Sequence, residues 1–244
     1  MKPISKAKLE KLLNDLERMR PKGRAIAAFD ADGTLWNTDL GEGLFSYEIN
    51  NDTVPLPENP WQHYQYLKDH VSHPAAYLWL AQINKGVSID LVREWAAAAV
   101  AEMHPVPVFP EAVRIIEHLK KLEVEVYIVT ASIKWAVEPG AHLLGLTPDD
   151  VIGIETEVVD GIVTEKQKGP ITWRKGKVEG LLARTGGVAP YFAAGNTEGD
   201  LFLLESATDL RLVMSAAPEG SENYPTEQAM LKIAQQRDWH SFRY

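Results

Sequence analysis

Asp30 and Asp32 stand two residues apart at the end of an apolar run, Ala25-Ile26-Ala27-Ala28-Phe29, and Gly33 follows them. In extended backbone, residues i and i+2 point to the same side, so the two carboxylates face one space. Gly33 permits a sharp turn that leaves both accessible. Carboxylates this close repel each other and normally need a metal ion or a shared proton. Asp-Gly after a strand is also ordinary turn chemistry, so this motif alone does not establish a site. Other segments end in complementary groups. The apolar run over residues 124–129 leads into Thr130-Ala131-Ser132, and that over 191–194 leads into Gly195-Asn196-Thr197-Glu198-Gly199-Asp200. Lys175 opens a helical pattern between them.

The elements that must position these groups are legible as alternating patterns. Apolar runs at 25–29, 124–129, 191–194 and 210–214 read as strands buried on both faces. Helical stripes lie around and between them: residues 4–19, residues 110–122 with Val113, Ile116 and Leu119, and residues 175–185 with Val178, Leu181 and Leu182. Strands alternating with helices predict an α/β fold, a Rossmann-like doubly wound parallel sheet. Polar clusters at the C-terminal strand ends then fall in the crevice where such sheets bind ligands. Residues 40–105 interrupt the alternation with a Pro-rich loop and helices expected near 61–70, 74–84 and 88–103. This aromatic-rich segment reads as an inserted α-helical cap domain, with residues 1–39 and 106–244 forming the core. Asp160-Gly161 within 157–164 marks a hairpin turn.

Composition narrows the chemistry. The 244 residues include 34 acidic and 25 basic side chains, a net charge of −9, with no dense basic run. That field disfavours nucleic acid and anionic membrane as partners. Cysteine is absent, which excludes thiolate nucleophiles and cysteine metal sites. No segment has the length and apolarity of a membrane span. The start, Met1-Lys2-Pro3-Ile4, lacks the apolar core of a signal peptide. A cytoplasmic location is the expectation, and the sequence carries no signal of oligomeric state.

Taken together, the segments resemble the four signatures of the haloacid dehalogenase superfamily, in the family's order. Asp30-Ala31-Asp32-Gly33-Thr34-Leu35 resembles the first, Thr130 the second, Lys175 the third, and Gly195-Asn196-Thr197-Glu198-Gly199-Asp200 the fourth. The hairpin followed by Lys175-Gly176 is similar to the phosphoserine phosphatase branch, and the insertion sits where that branch carries a helical cap. The resemblance implies Mg²⁺-dependent hydrolysis of a small phosphomonoester. Asp30 would be the nucleophile, forming an aspartyl-phosphate, and Asp32 the general acid and base. Lys175, with Lys177 the second choice and Lys168 the third, would offset phosphate charge. Thr130 and the backbone at Ala131 and Ser132 would bind the phosphoryl group. Asp30, Asp32, Asn196 and Asp200 would hold Mg²⁺.

The fourth signature departs from the family pattern, which has Asp where this chain has Asn196. Either Asn196 ligates directly or Asp200 takes the larger share, and Asn196→Asp is expected to tighten Mg²⁺ binding. Asp39 matches the acid that contacts the substrate amine in phosphoserine phosphatases; alternatively it caps a helix with Glu42. Arg93 either holds a substrate carboxylate or is a solvated helix residue. A phosphorylated amino compound is the expected substrate. A phosphotransferase, a phosphocholine- or phosphoethanolamine-type phosphatase, and a non-catalytic phosphometabolite-binding protein are the alternatives. Clean deletion of 40–105 is expected to spare folding.

Overall fold

The computed structural model describes residues 4–244; Met1-Lys2-Pro3, on which most of the signal-peptide reading falls, lie outside. Strand β1 (Ile26–Phe29) is buried at every residue, which its unbroken apolar sequence requires. It lies between β2 (Glu125–Ile133) and β5 (Phe192–Gly195), parallel to both. The sheet continues from β2 to β3 (Val151–Val159) and from β5 to β6 (Leu210–Ser215) and β7 (His240–Arg243), all parallel. Only β4 (Ile162–Lys168) runs antiparallel, paired with β3 at one edge. Strand order therefore reverses at β1, and the crevice at that switch point opens beyond the C-terminal ends of β1, β2 and β5.

Helix α1 (Lys6–Arg18) begins at Ser5, whose side chain caps Lys8 N, and buries Leu9, Leu12, Leu13 and Leu16. It shares one face of the sheet with α6 (Pro110–Lys121). The opposite face carries α8 (Lys175–Thr185), α9 (Leu201–Ser206) and α10 (Tyr224–Gln236), through Leu181, Leu203, Leu204 and Met230. Between β1 and β2 come α2 (Leu40–Asn50), α3 (Pro60–Tyr66), a π-helical turn at Leu67–Val71, α4 (His73–Gln82) and α5 (Ile89–Glu102). Their apolar sides form a second core with Ile133, Trp135, Ile154 and Val163. Trp135 belongs to α7 (Lys134–Leu143), which follows β2 directly. Among the described residues, no helix is long and apolar enough to cross a membrane.

Three features differ from the sequence reading. Strand β2 does not stop at Thr130 but continues to Ile133 through a register shift after Val129, so Thr130, Ala131 and Ser132 lie within it. The predicted hairpin is present, with Asp160 and Gly161 both at positive φ (51° and 78°), the pairing a tight two-residue turn needs. Its first strand, however, starts at Val151 and belongs to the main sheet. Finally, α10 and β7 extend the fold beyond residue 215, where no element was expected.

Candidate active site

The three strand ends enclose a cavity of about 440 Å³. Asp30 is held at its floor. Its backbone N–H donates to the Ala194 carbonyl at 2.9 Å, continuing the β1–β5 ladder by one residue. Its Oδ1 accepts from Lys177 Nζ at 2.5 Å, and its Oδ2 from Thr34 Oγ1 at 2.9 Å. The same lysine donates to Asp200 Oδ1 at 2.6 Å. Burial and the neighbouring Asp200 push the Asp30 carboxyl upward against the pull of Lys177. Burial works to lower Lys177, but Asp200 and Asp30 outweigh it and hold the ammonium above its ordinary range.

Lys175 does not reach the site. Helical residues two apart point about 200° away from each other at 3.6 residues per turn. The buried side of α8 carries Lys177, Gly180, Leu181 and Thr185, while Lys175 is exposed with its Nζ over the Phe202 ring. Lys177 is therefore the lysine that meets Asp30. Lys168, on the edge hairpin, pairs with Glu155 instead. Of the two readings of Arg93, the exposed helix residue is the one found: it stands on α5 with its guanidinium paired to buried Glu138 on α7, Nε–Oε2 at 2.8 Å, and does not line the cavity.

Asp32 faces the cavity but is tied by three donors. Trp36 Nε1 (2.7 Å) and Leu40 N (2.9 Å) bond its Oδ1, and Ser132 Oγ bonds its Oδ2 at 2.7 Å. Burial and the charge of Asp39 push its carboxyl up to about 7, against these hydrogen bonds. Thr130 is buried, with its Oγ1 accepting from Ser132 N at 3.0 Å, which leaves its own hydroxyl proton to donate. Thr172 Oγ1 secures the Thr130 carbonyl at 2.5 Å. Ala131 and Ser132 line the cavity as expected. Asp39 is the N-cap of α2, accepting from Glu42 N at 2.8 Å, and it also lines the cavity. Burial and Glu42 push its carboxyl up to about 7.

The two residues of the fourth motif have different freedom. Asp200 Oδ2 accepts from Asn196 N (3.1 Å), Thr197 N (3.0 Å) and Thr197 Oγ1 (3.2 Å), while its Oδ1 is held by Lys177. Asn196 donates through Nδ2 to Glu227 Oε1 at 3.2 Å, and its Oδ1 has no donor among the described residues. Gly33, at φ +79°, makes room for this amide, since a Cβ there would stand 2.0 Å from Nδ2. Seven acidic side chains line the cavity against one base, Lys177. An anionic substrate entering such a field needs a cation beside it, and the donors suit a hard one: the Asp30 carboxylate and the Asn196 amide oxygen. Mg²⁺ sites of this kind use one or two carboxylates and fill the rest with water and phosphate oxygens. The Asp32 carboxylate makes its hydrogen bonds to Trp36, Leu40 and Ser132 and none to Lys177, while its charge adds to the forces that raise Asp30.

Several lining residues were not read from the sequence: Tyr64 and Tyr77 only as general cap aromatics, and Trp173, Glu222 and Glu227 not at all. Trp173 lines the cavity and is stacked on His73 of α4 with ring centroids 5.5 Å apart.

Comparison with solved structures places the fold among known relatives. A protein of unknown function from Bordetella pertussis Tohama I superposes with a TM-score of 0.74 at 19% identity, covering 91% of this chain and 99% of its own. A conserved protein of unknown function from Anaerococcus prevotii DSM 20548 gives 0.74 at 14% identity, over 99% and 94%. A substrate-bound phosphoserine phosphatase gives 0.53 at 17% identity, over 89% and 99%. By sequence, no curated protein matches the chain. The model of haloacid dehalogenase-like hydrolases matches residues 27–205, from β1 into α9, and so spans most of the chain and all four motifs. The chain belongs to the haloacid dehalogenase-like hydrolase family.

Proposed function

We propose that this chain is a Mg²⁺-dependent phosphomonoesterase that works through an aspartyl-phosphate on Asp30, and that its substrate is a small phosphorylated amine. The observation that carries the reading is the Asp30–Lys177–Asp200 cluster at the switch point of the sheet, with Thr130 beside it and Asp32 two residues on. Asp30 would attack phosphorus while Asp32 gives its proton to the leaving alcohol oxygen. A carboxyl raised toward 7 suits that exchange, since it can carry the proton in and then accept one from the hydrolytic water. Lys177 and Thr130 would bind the phosphoryl oxygens. Asp30 and Asn196 Oδ1 would hold Mg²⁺, which when bound supplies the charge neutralisation that lets a carboxylate approach a phosphate dianion.

The substrate class is supported by the rest of the cavity lining. Asp39, Glu42 and Glu222 line it together with Tyr64, Tyr77 and Trp173. Burial drives both Asp39 and Glu42 upward, and Lys68, 3.6 Å from Glu222, offsets only part of their charge. Aromatic faces beside carboxylates are a seat for an ammonium group. No arginine lines the cavity among the described residues, so a substrate carboxylate would lack a bidentate partner. This favours a phosphorylated amine over a phosphorylated amino acid. The test is phosphate release, with and without Mg²⁺, from phosphoethanolamine, phosphocholine, phosphoserine, glycerol phosphate and an aryl phosphate. The expected order has the two amines first. Turnover of none of the five refutes the phosphatase reading, and a preference for glycerol phosphate refutes the amine seat.

A further inference from the structure

Glu227 lies on α10, outside the stretch that the family model matches, and is 2% exposed. Its two oxygens have separate duties. Oε2 accepts from Ser215 Oγ, Ala216 N and Ala217 N, each at 2.9 Å, so the carboxylate cannot rotate without leaving three donors unpaired. Oε1 is thereby aimed at Asn196 and accepts from its Nδ2 at 3.2 Å. Turning the Asn196 amide over would set Oδ1 against Oε1, two acceptors with no proton between them. Only one orientation is paired, and it leaves Oδ1 as the free end of the amide.

We propose that Glu227 is a positioning residue for the metal site: it locks the Asn196 amide with its oxygen toward the cation and supplies, from behind, the negative charge that Asn196 lacks. The Asn196–Glu227 pair then carries the single charge that an aspartate would carry alone. The ion meets a neutral oxygen backed by a buried carboxylate. This rests on the metal role given above to Asn196. It also reverses the expectation for Asn196→Asp, because an aspartate there would face Glu227 carboxylate to carboxylate.

The pairing can be inverted. In Glu227→Gln the glutamine oxygen must take the place that three donors hold, so its amide nitrogen faces Asn196 Nδ2, donor to donor. The relief is an Asn196 flip that presents N–H to the cation. Adding Asn196→Asp to Glu227→Gln restores a donor–acceptor pair with the charge moved forward. The measurement is calorimetric titration of MgCl₂ into substrate-free, EDTA-treated full-length protein, with melting temperatures in EDTA as the check on folding. Glu227→Gln is expected to weaken Mg²⁺ binding at least tenfold, Asn196→Asp alone to weaken it as well, and the double variant to return within about threefold of wild type. Unchanged affinity in Glu227→Gln overturns the proposal while leaving the metal site standing. If Glu227→Gln does not fold, the double variant decides: wild-type affinity supports the proposal, and an unfolded or tenfold weaker double variant overturns it. A wild-type protein that binds no Mg²⁺ overturns both this role and the metal reading beneath it.

Discussion

Among the described residues, Lys177 is the one base lining the cavity, and it spans two buried carboxylates, Asp30 and Asp200. Removing one partner from a buried charge cluster leaves the others uncompensated, a loss of about 3–5 kcal/mol in comparable cases. Lys177→Met should therefore abolish phosphate release and lower stability in Mg²⁺-free buffer, read by initial rates and urea melts. Lys175→Met should leave both within twofold of wild type, and a dead Lys175→Met with an active Lys177→Met would invert the assignment. Asp30→Asn should be inactive, since an amide cannot form the acyl phosphate, and mass measurement of the sample guards against deamidation. The resemblance points to Lys175 because it stands at the start of the helix. The buried stripe of α8 tells otherwise, since Lys177 shares it with Gly180, Leu181 and Thr185. Glu227 gives no such signal: an acid at the head of the α10 stripe, ahead of Met230 and Ala234, shortens the apolar periodicity by which a helix is recognised.

Elements whose patterns are interrupted by buried polar groups were the ones the sequence concealed. α2 buries two glycines and Glu48 alongside Leu40, Leu44 and Phe45, so its apolar stripe is interrupted. Gly41 sits where a Cβ would come 2.8 Å from Ser132 Oγ, a closeness that brings Asp39 to the cavity rim. Glu48 is 1% exposed, its Oε1 has no hydrogen-bond partner among the described residues, and burial pushes its carboxyl up to about 8 despite Asn84. The sign follows from linkage. Below about pH 4.3 both folded and unfolded chains keep the proton, and the group has no effect. Between there and pH 8 the unfolded chain ionises while the folded one does not, so stability falls as pH rises. Above pH 8 both are ionised and the penalty is constant. Glu48→Gln removes this dependence. Its stability relative to wild type should grow between pH 5 and 8 by up to about 1.4 kcal/mol per pH unit. Parallel urea midpoints for the two proteins across that range would show that Glu48 is ionised in the folded state.

At the scale of the whole molecule, the parallel sheet was readable because strands buried on both faces are apolar runs, continuous in β1 and β5 and broken only by Arg211 ahead of Leu212-Val213-Met214 in β6. The relation between insertion and core was not readable, since hydrophobic patterns show that a face is buried but not what it is buried against. The second core joins Leu44, Phe45, Tyr64, Leu80 and Val92 of the insertion to Ile133, Trp135, Ile154 and Val163, which follow residue 106 in the chain. These last four residues are at most 2% exposed. Stripping their cover would return each to water at about 1.5–3 kcal/mol. Together that is on the order of 6–12 kcal/mol, comparable to the roughly 5–15 kcal/mol that stabilises a whole domain. Deleting 40–105 should therefore not spare folding, contrary to what its position in the sequence suggests. The shortened chain should aggregate or lose its near-ultraviolet dichroism. Trp135→Ala, which opens one cavity in the same core, should instead stay folded at a cost of about 3–5 kcal/mol. Gel filtration and urea melts of both proteins make the comparison, and a monomeric deletion variant with cooperative unfolding at the wild-type midpoint would show that the core stands without its helical cover.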